Sequence, residues 1–281
     1  MANRIPVVPA DELSAFVVAT AKELKIPGVA VGVWAQEKEI YAPYGVTSID
    51  HPIPVDRHTL FILGSLTKTY TATALMILVA EGKVELNALA AKYVPELQLM
   101  DEQASAKITV FHLLNHTSGL DWGLITDTGE GDNAMANYVS KMAGLKQLYT
   151  PGSRISYSQA EYVIIGRIIE KITGLPFEQA IKTLLFDPLE LTDSFFFRDD
   201  IMTRRFSSGH NRSTEGILAI ARLWRRSRGD NPGGGRHRIF CNRPAALGPV
   251  PSWERPGTQP YCCVAGRNTP ANEAAFCRVA G

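Results

Sequence analysis

A serine three residues ahead of a lysine is the first place where this chain could do chemistry. Ser65-Leu66-Thr67-Lys68 is its only Ser-x-x-Lys, and it follows Gly64 and begins a long apolar stretch. On a helix, the i, i+3 spacing puts both side chains on one face. A serine at a helix N-terminus sits among unpaired N–H groups at the positive end of the dipole, which suits an attacking alkoxide and a developing oxyanion. A lysine on a buried helix is desolvated, which turns an ammonium toward a general base. The same four residues also suit a serine cap beside a solvent-facing lysine, so the motif alone decides nothing.

Two further segments add to it. Tyr157-Ser158-Gln159 follows Pro151-Gly152 and opens another apolar helix. A tyrosine near a lysine has its phenolate stabilised and can carry a proton. Leu113 to Leu120 reads Leu-Leu-Asn-His-Thr-Ser-Gly-Leu. His112 and His116 are spaced like a helical zinc pair, but the Glu of a His-Glu-x-x-His site and a third ligand are absent, so no metal is expected. Ser118 is no nucleophile elbow, because the chain has no Gly-x-Ser-x-Gly.

The periodicity predicts the elements that must position these residues. Residues 11–25 read as a helix with Leu13, Phe16, Val17 and Leu24 on one side, stopped at Ile26-Pro27-Gly28. Val29 to Ala35 and Glu39 to Tyr44 read as a hairpin around Gln36-Glu37-Lys38. Leu60 to Leu63 is strand-like. Residues 65–81 form a helix apolar on almost every side, ended by Gly82 and expected at the centre of the core. Further helices are expected over 107–116 (started at Thr109), 157–173 (ended by Gly174), 176–186 and 215–226, with loops over 121–131 and 230–235. Two strands do not make a stable sheet, and the later sequence does not visibly supply more.

Composition narrows the class. The chain has 281 residues, 45% apolar and 20% charged, which excludes a disordered chain, a collagen and a disulfide miniprotein. A formal net charge of +1 gives no argument for nucleic acid or membrane. Arg222, Arg225, Arg226 and Arg228 cluster, but they read as a solvated helix face rather than a basic binding module. The longest apolar runs, such as Ala72 to Ala80, fall short of a membrane span. The N-terminus shows no signal-peptide core, so a cytoplasmic location is expected. Tyr44, Trp122, Trp224 and Phe195 to Phe197 read as core residues, with lining of an apolar cleft as the functional alternative. Asp121 and Trp122 follow the His-Thr-Ser-Gly loop toward the substrate side.

The segments Phe61 to Lys68, Leu113 to Leu120, Pro151 to Gln159, Tyr162 to Gly174 and Pro188 to Asp193, in this order, resemble the serine β-lactamase and penicillin-binding protein family. The resemblance is to its class C-like branch, which includes D-alanyl-D-alanine carboxypeptidases and β-lactamase-like carboxylesterases. It covers most of residues 10–235. It implies an α/β (α+β) fold, an antiparallel sheet flanked by helices with a large helical region. It also implies a serine hydrolase cleaving esters or amides through an acyl-serine, with a small-molecule ester, amide or β-lactam substrate and no cofactor. By resemblance, Ser65 is the acylated nucleophile, Lys68 takes or steers its proton, and Tyr157 is general base and then acid. The Ser65 N–H is one oxyanion donor. Gln159 stands where many relatives have Asn, which puts tight β-lactam positioning in doubt and favours esters. The family's third motif, a Lys-Thr-Gly-like or His-x-Gly-like triplet on a late strand, finds no match after Gly235, nor do the last strands and C-terminal helix. The rival reading is therefore a catalytically incomplete, non-enzymatic remnant.

The last 46 residues differ from the rest. Residues 1–235 carry −3, while 236–281 carry +4 with six Arg, no Lys and two Glu. All four cysteines (Cys241, Cys262, Cys263, Cys277) and six of the 17 prolines lie there. The cysteine spacing matches neither a zinc site nor a disulfide framework. Codons permitted for Arg236 to Arg255, read from the second base, allow GIASSVTDQLRWARFHLGSG, a helix-like string resembling the family's continuation. The organisation expected is therefore a β-lactamase-like domain over 1–235, incomplete, and a frameshifted, poorly ordered tail over 236–281. The alternative is a divergent but genuine C-terminus.

Overall fold

The computed structural model describes residues 9–35, 38–122, 127–221, 228 and 232, and the backbone of 240–241. In chain order the elements are α1 (Ala10–Glu23), β1 (Gly28–Ala35), β2 (Lys38–Gly45), β3 (Phe61–Ile62), α2 (Thr67–Ala80), α3 (Ala90–Tyr93), α4 (Glu102–Ser105), α5 (Val110–Leu114), α6 (Ala134–Ser140), α7 (Gln159–Thr173), α8 (Phe177–Ile181), α9 (Arg198–Ile201), β4 (His210–Arg212), β5 (Leu218–Ile220) and β6 (Phe240–Cys241). Two compact units emerge. One draws on Met1–Ile62, Arg198–Leu223 and Phe240–Gly281, the other on Leu63–Phe197 and Trp224–Ile239. Among the described residues, no helix is long and apolar enough to cross a membrane.

The first unit is built on the expected hairpin. β1 and β2 pair antiparallel with Val29 opposite Tyr44, Val31 opposite Ala42 and Val33 opposite Ile40. Alternation puts one side chain in two on the helix-covered face, where Val29, Val31 and Ala42 meet Val17 and Ala21 of α1. Leu13, Ile26, Val33 and Tyr44 are partly buried and pack against this cluster. Asp11 and Glu12 in the first turn of α1 and Lys22 in its last complement the helix dipole.

The chain also holds strands that no alternation in its sequence marks. β4 pairs β5, and β3 pairs β6, both antiparallel. The helix expected over 215–226 is corrected for its described part: Leu218–Ile220 is a strand, and 222–227 lie outside the described residues. A segment of three residues carries no resolvable period, and pairing with β4 decides its state. β6 lies within the tail expected to be aberrant; the remainder of that tail, 236–239 and 242–281, lies outside the described residues.

The second unit is helical, and its centre is α7 rather than α2. α7 packs against α2, α3, α5, α6 and α8. Val163, Ile164, Ile165, Ile168 and Ile169 are all fully buried, each apolar side chain contributing roughly 1.5–3 kcal/mol relative to exposure. α2 buries one stripe, Thr67, Lys68, Thr71, Ala74, Leu75 and Leu78, while Met76 is 43% exposed. Its apolar composition therefore overstated its burial, since only one face of a helix meets neighbours unless others surround it. Gly174, left-handed at φ 70°, ends α7 as expected. The helix expected over 176–186 is α8 followed by wider π-type turns at 182–186. The helix expected over 107–116 shortens to five residues, capped by Thr109 as expected.

Candidate active site

Every sequence-derived site residue lies in the helical unit. Gly64 adopts φ +56°, a left-handed conformation that costs glycine nothing, and lets the chain turn sharply into the helix. A 3₁₀ turn over Gly64–Leu66 carries Ser65, and α2 begins at Thr67. Ser65 is thus exposed one turn before a buried Lys68, which is 6% exposed.

The second segment enters from the start of α7. Ser158, its N-terminal boundary residue, donates from Oγ to the Asp121 carbonyl at 2.7 Å, and the Gln159 N–H donates to the Trp122 carbonyl at 2.7 Å. These bonds fix Tyr157 two residues ahead of the first helical residue. The Tyr157 hydroxyl donates to Ser65 Oγ at 2.8 Å. Lys68 Nζ donates to Gln159 Oε1 at 2.7 Å and lies 4.7 Å from the Tyr157 ring centroid. Ser65, Lys68, Tyr157 and Gln159, separated by up to 94 positions in sequence, therefore form one constellation.

The third segment underlies it. The Gly152 N–H donates to the Thr117 carbonyl at 2.8 Å, and the Ser156 N–H to the His116 carbonyl at 2.7 Å. Gln147 Nε2 donates to the Ser118 carbonyl at 2.7 Å. Gly119 has φ +78°, and a Cβ there would stand 1.9 Å from the Tyr149 carbonyl oxygen, so only glycine permits this lacing.

The histidines do not form a metal pair. His112 Nδ1 accepts from the Thr109 N–H at 3.3 Å and closes a capping box on α5. His116 turns away, at φ +60°, and its Nδ1 contacts Glu161 Oε2. Among the described residues, no group of three or more His, Cys, Asp and Glu is arranged to hold a metal ion.

Glu161 was missed by sequence reasoning. It is fully buried, and its Oε1 accepts from Ser118 Oγ at 2.5 Å and from the Ser118 N–H at 3.2 Å. Burial pushes its carboxyl above the ordinary carboxylate range, although His116 and Ser118 pull the other way. The available signal was an acid in a segment of α7 whose neighbours are otherwise apolar. The Tyr162 hydroxyl, donating to the Leu114 carbonyl at 3.1 Å, is pushed up to about 12 by burial first and by Glu161 and Tyr157 next.

Trp122 is exposed, and Trp224 lies outside the described residues. Phe196 is core, stacked on Phe186 at 5.6 Å and edge-on to Phe177. Arg228 corrects the expectation of a solvated cluster. Its side chain is 13% exposed, pairs with Glu178 at 2.9 Å and with Asp132 at 2.6 Å, and lies over Phe197. Arg222, Arg225 and Arg226 lie outside the described residues.

A mixed α/β fold that sets a helix-start serine, a buried lysine and a tyrosine on one site defines the class. Residues 13–247 match the Beta-lactamase family, and the chain belongs to it. It is 32% identical over 192 residues to a penicillin-binding protein 4 of Amycolatopsis lactamdurans, covering 68% of this chain and 50% of that protein. To a beta-lactamase of Escherichia coli strain K12 it is 32% identical over 174 residues, covering 62% of this chain and 45% of that one. Among solved structures, the octameric penicillin-binding protein homologue from Pyrococcus abyssi superposes with a TM-score of 0.64 at 27% identity, covering 76% of this chain and 50% of that one. The hydrolase EstCE1 shares the fold, with a TM-score of 0.69 at 20% identity over 83% of this chain and 69% of that one. The chain spans about half the length of the curated relatives it matches.

Proposed function

We propose that this chain is a serine hydrolase that cleaves small-molecule esters or amides through an acyl-Ser65 intermediate. The observation that carries the reading is the 2.8 Å contact between Tyr157 Oη and Ser65 Oγ beside the Lys68 ammonium. In this reading Tyr157 reacts as a phenolate, with Lys68 supplying the positive charge that form requires. The Ser65 proton passes to Tyr157 Oη as Ser65 Oγ bonds to the substrate carbonyl carbon. The carbonyl electron pair moves to oxygen, at the Ser65 N–H. Collapse of the adduct breaks the bond to the leaving group, which takes the proton from Tyr157. Water then gives a proton to Tyr157 and attacks the acyl carbon. The carbon–Oγ bond breaks, and Ser65 recovers the proton.

Gln159 tilts the substrate class toward esters. Its amide oxygen is engaged by Lys68 across 2.7 Å, and it is one methylene longer than the Asn of many relatives. Turnover in this 281-residue chain is expected to be low, because no Lys-Thr-Gly-like or His-x-Gly-like triplet follows Gly235. One missing oxyanion donor costs about two to three orders of magnitude in rate. The same observation favours the second reading, a ligand-binding scaffold without turnover.

A burst of chromophore from a nitrophenyl ester, equal to the enzyme present and lost in Ser65→Ala, is the result expected of the hydrolase. Absence of any covalent adduct on Ser65 with a fluorophosphonate or penicillin probe would establish the second reading instead.

A further inference from the structure

His116 and Glu161 form a pair that the reaction outlined above does not use. Burying a carboxyl and seating a non-glycine residue at positive φ both cost free energy, and such features persist only where their surroundings over-determine them. Glu161 has its Oε1 occupied by both Ser118 donors, which turns Oε2 toward His116 Nδ1. The Ser158 N–H is 3.4 Å from the same nitrogen, a longer and poorer contact, so we assign the Nδ1 proton to the Glu161 bond. The imidazole is thereby fixed in plane and tautomer.

What it is fixed against is Tyr157. The two ring centroids are 4.6 Å apart at an interplanar angle of 44°, within the range of packed aromatic pairs. The His116 ring also lies 5.2 Å from that of Tyr162, whose hydroxyl is tied to α5. Among the described residues, the charged and titratable groups around the pair are Lys68 from α2, 4.7 Å and 5.5 Å from the Tyr157 and Tyr162 centroids, and the two phenols themselves. Tyr157 is 41% exposed and stands outside the helix. A half-exposed tyrosine left to itself exchanges rotamers, and a shift of about 1 Å in a reacting group costs on the order of 100-fold in rate.

We propose that His116, seated by Glu161, is a positioning residue that holds Tyr157 Oη against Ser65 Oγ. Its catalytic consequence rests on the serine-hydrolase reading; its effect on Tyr157 does not.

The test follows Tyr157 directly, by NMR titration of the full chain carrying tyrosine labelled with ¹³C at Cζ, the Tyr157 signal being assigned by its loss in Tyr157→Phe. His116→Asn removes the ring while keeping a residue that tolerates the left-handed backbone. Glu161→Gln keeps the shape of the seat. The Tyr157 midpoint is expected to move by about one pH unit in His116→Asn and in the same sense, by less, in Glu161→Gln. The double variant should move no further than His116→Asn alone, because Glu161 acts through His116. Single-turnover acylation by a nitrophenyl ester should fall about 10- to 100-fold in His116→Asn, with KM within about twofold of the parent. An unmoved midpoint in His116→Asn, or effects of the two substitutions that simply add, would overturn the proposal whether or not Ser65 acylates. A moved, non-additive midpoint in a chain whose Ser65 never acylates would sink the hydrolase reading and leave the positioning pair standing.

Discussion

Lys68 Nζ donates to Gln159 Oε1 across 2.7 Å, joining α2 to the first residue of α7 in an environment where each side chain is 6% exposed. This bond ties α2, which follows directly on the turn that carries Ser65, to the segment that carries Tyr157. Gln159→Leu leaves a buried ammonium short of an acceptor and should cost about 1–3 kcal/mol of stability, read by urea unfolding. Gln159→Asn keeps an acceptor on a shorter arm. It should raise acylation by a fluorescent penicillin relative to a nitrophenyl ester, and an unchanged ratio would remove Gln159 as a determinant of substrate class.

Glu161 makes stability depend on pH in a defined sense. Its carboxyl is raised above the ordinary value of 4.5 by burial, so the folded state holds this proton more tightly than the unfolded chain. The stabilisation is fully present below pH 4.5 and is lost as pH rises through the raised value. Glu161→Gln abolishes that dependence. The stability of the parent minus that of Glu161→Gln should fall on going from pH 4.5 to 8, and a difference that rises with pH would contradict the burial argument.

Gly119 should tolerate no side chain. Gly119→Ala places a methyl against the Tyr149 carbonyl at a positive φ, and should destabilise by more than about 1 kcal/mol. Because the His116–Ser118 loop hangs from this turn, the variant should also lose Ser65 acylation at a temperature where it remains folded by circular dichroism.

The helical core should be graded by burial rather than by hydrophobicity. Ile168→Ala, at a fully buried position of α7, should cost about 2–5 kcal/mol. Met76→Ala, at a 43% exposed position of α2, should stay within about 0.5 kcal/mol. Equal effects would restore α2 to the central place its composition suggested.

The proposed shift of reading frame near Gly235 is checked on the gene itself. Codons for Arg236 to Arg255 should spell GIASSVTDQLRWARFHLGSG from the second base. Codons that spell an unrelated or interrupted string would leave the tail a genuine C-terminus.

The local signals in this chain were strong where short-range physics suffices. Alternation wrote the β1–β2 hairpin, Thr109 wrote the cap of α5, and Gly174 wrote the end of α7, because each depends on residues within one or two turns. Ser65, Lys68, Tyr157 and Gln159 were legible as types and spacings at two helix starts. Their union was not, since a 2.8 Å contact between positions 65 and 157 belongs to the packing of α2 on α7.

What the sequence alone determined is the family pattern, the helix starts that carry the reactive residues, and the hairpin that opens the fold. Only the tertiary structure decided that α7 is central and Leu218–Ile220 a strand, and that His116 turns from His112 to a buried Glu161. Those outcomes depend on which faces meet, and burial and partner are properties of surroundings assembled from residues tens of positions apart.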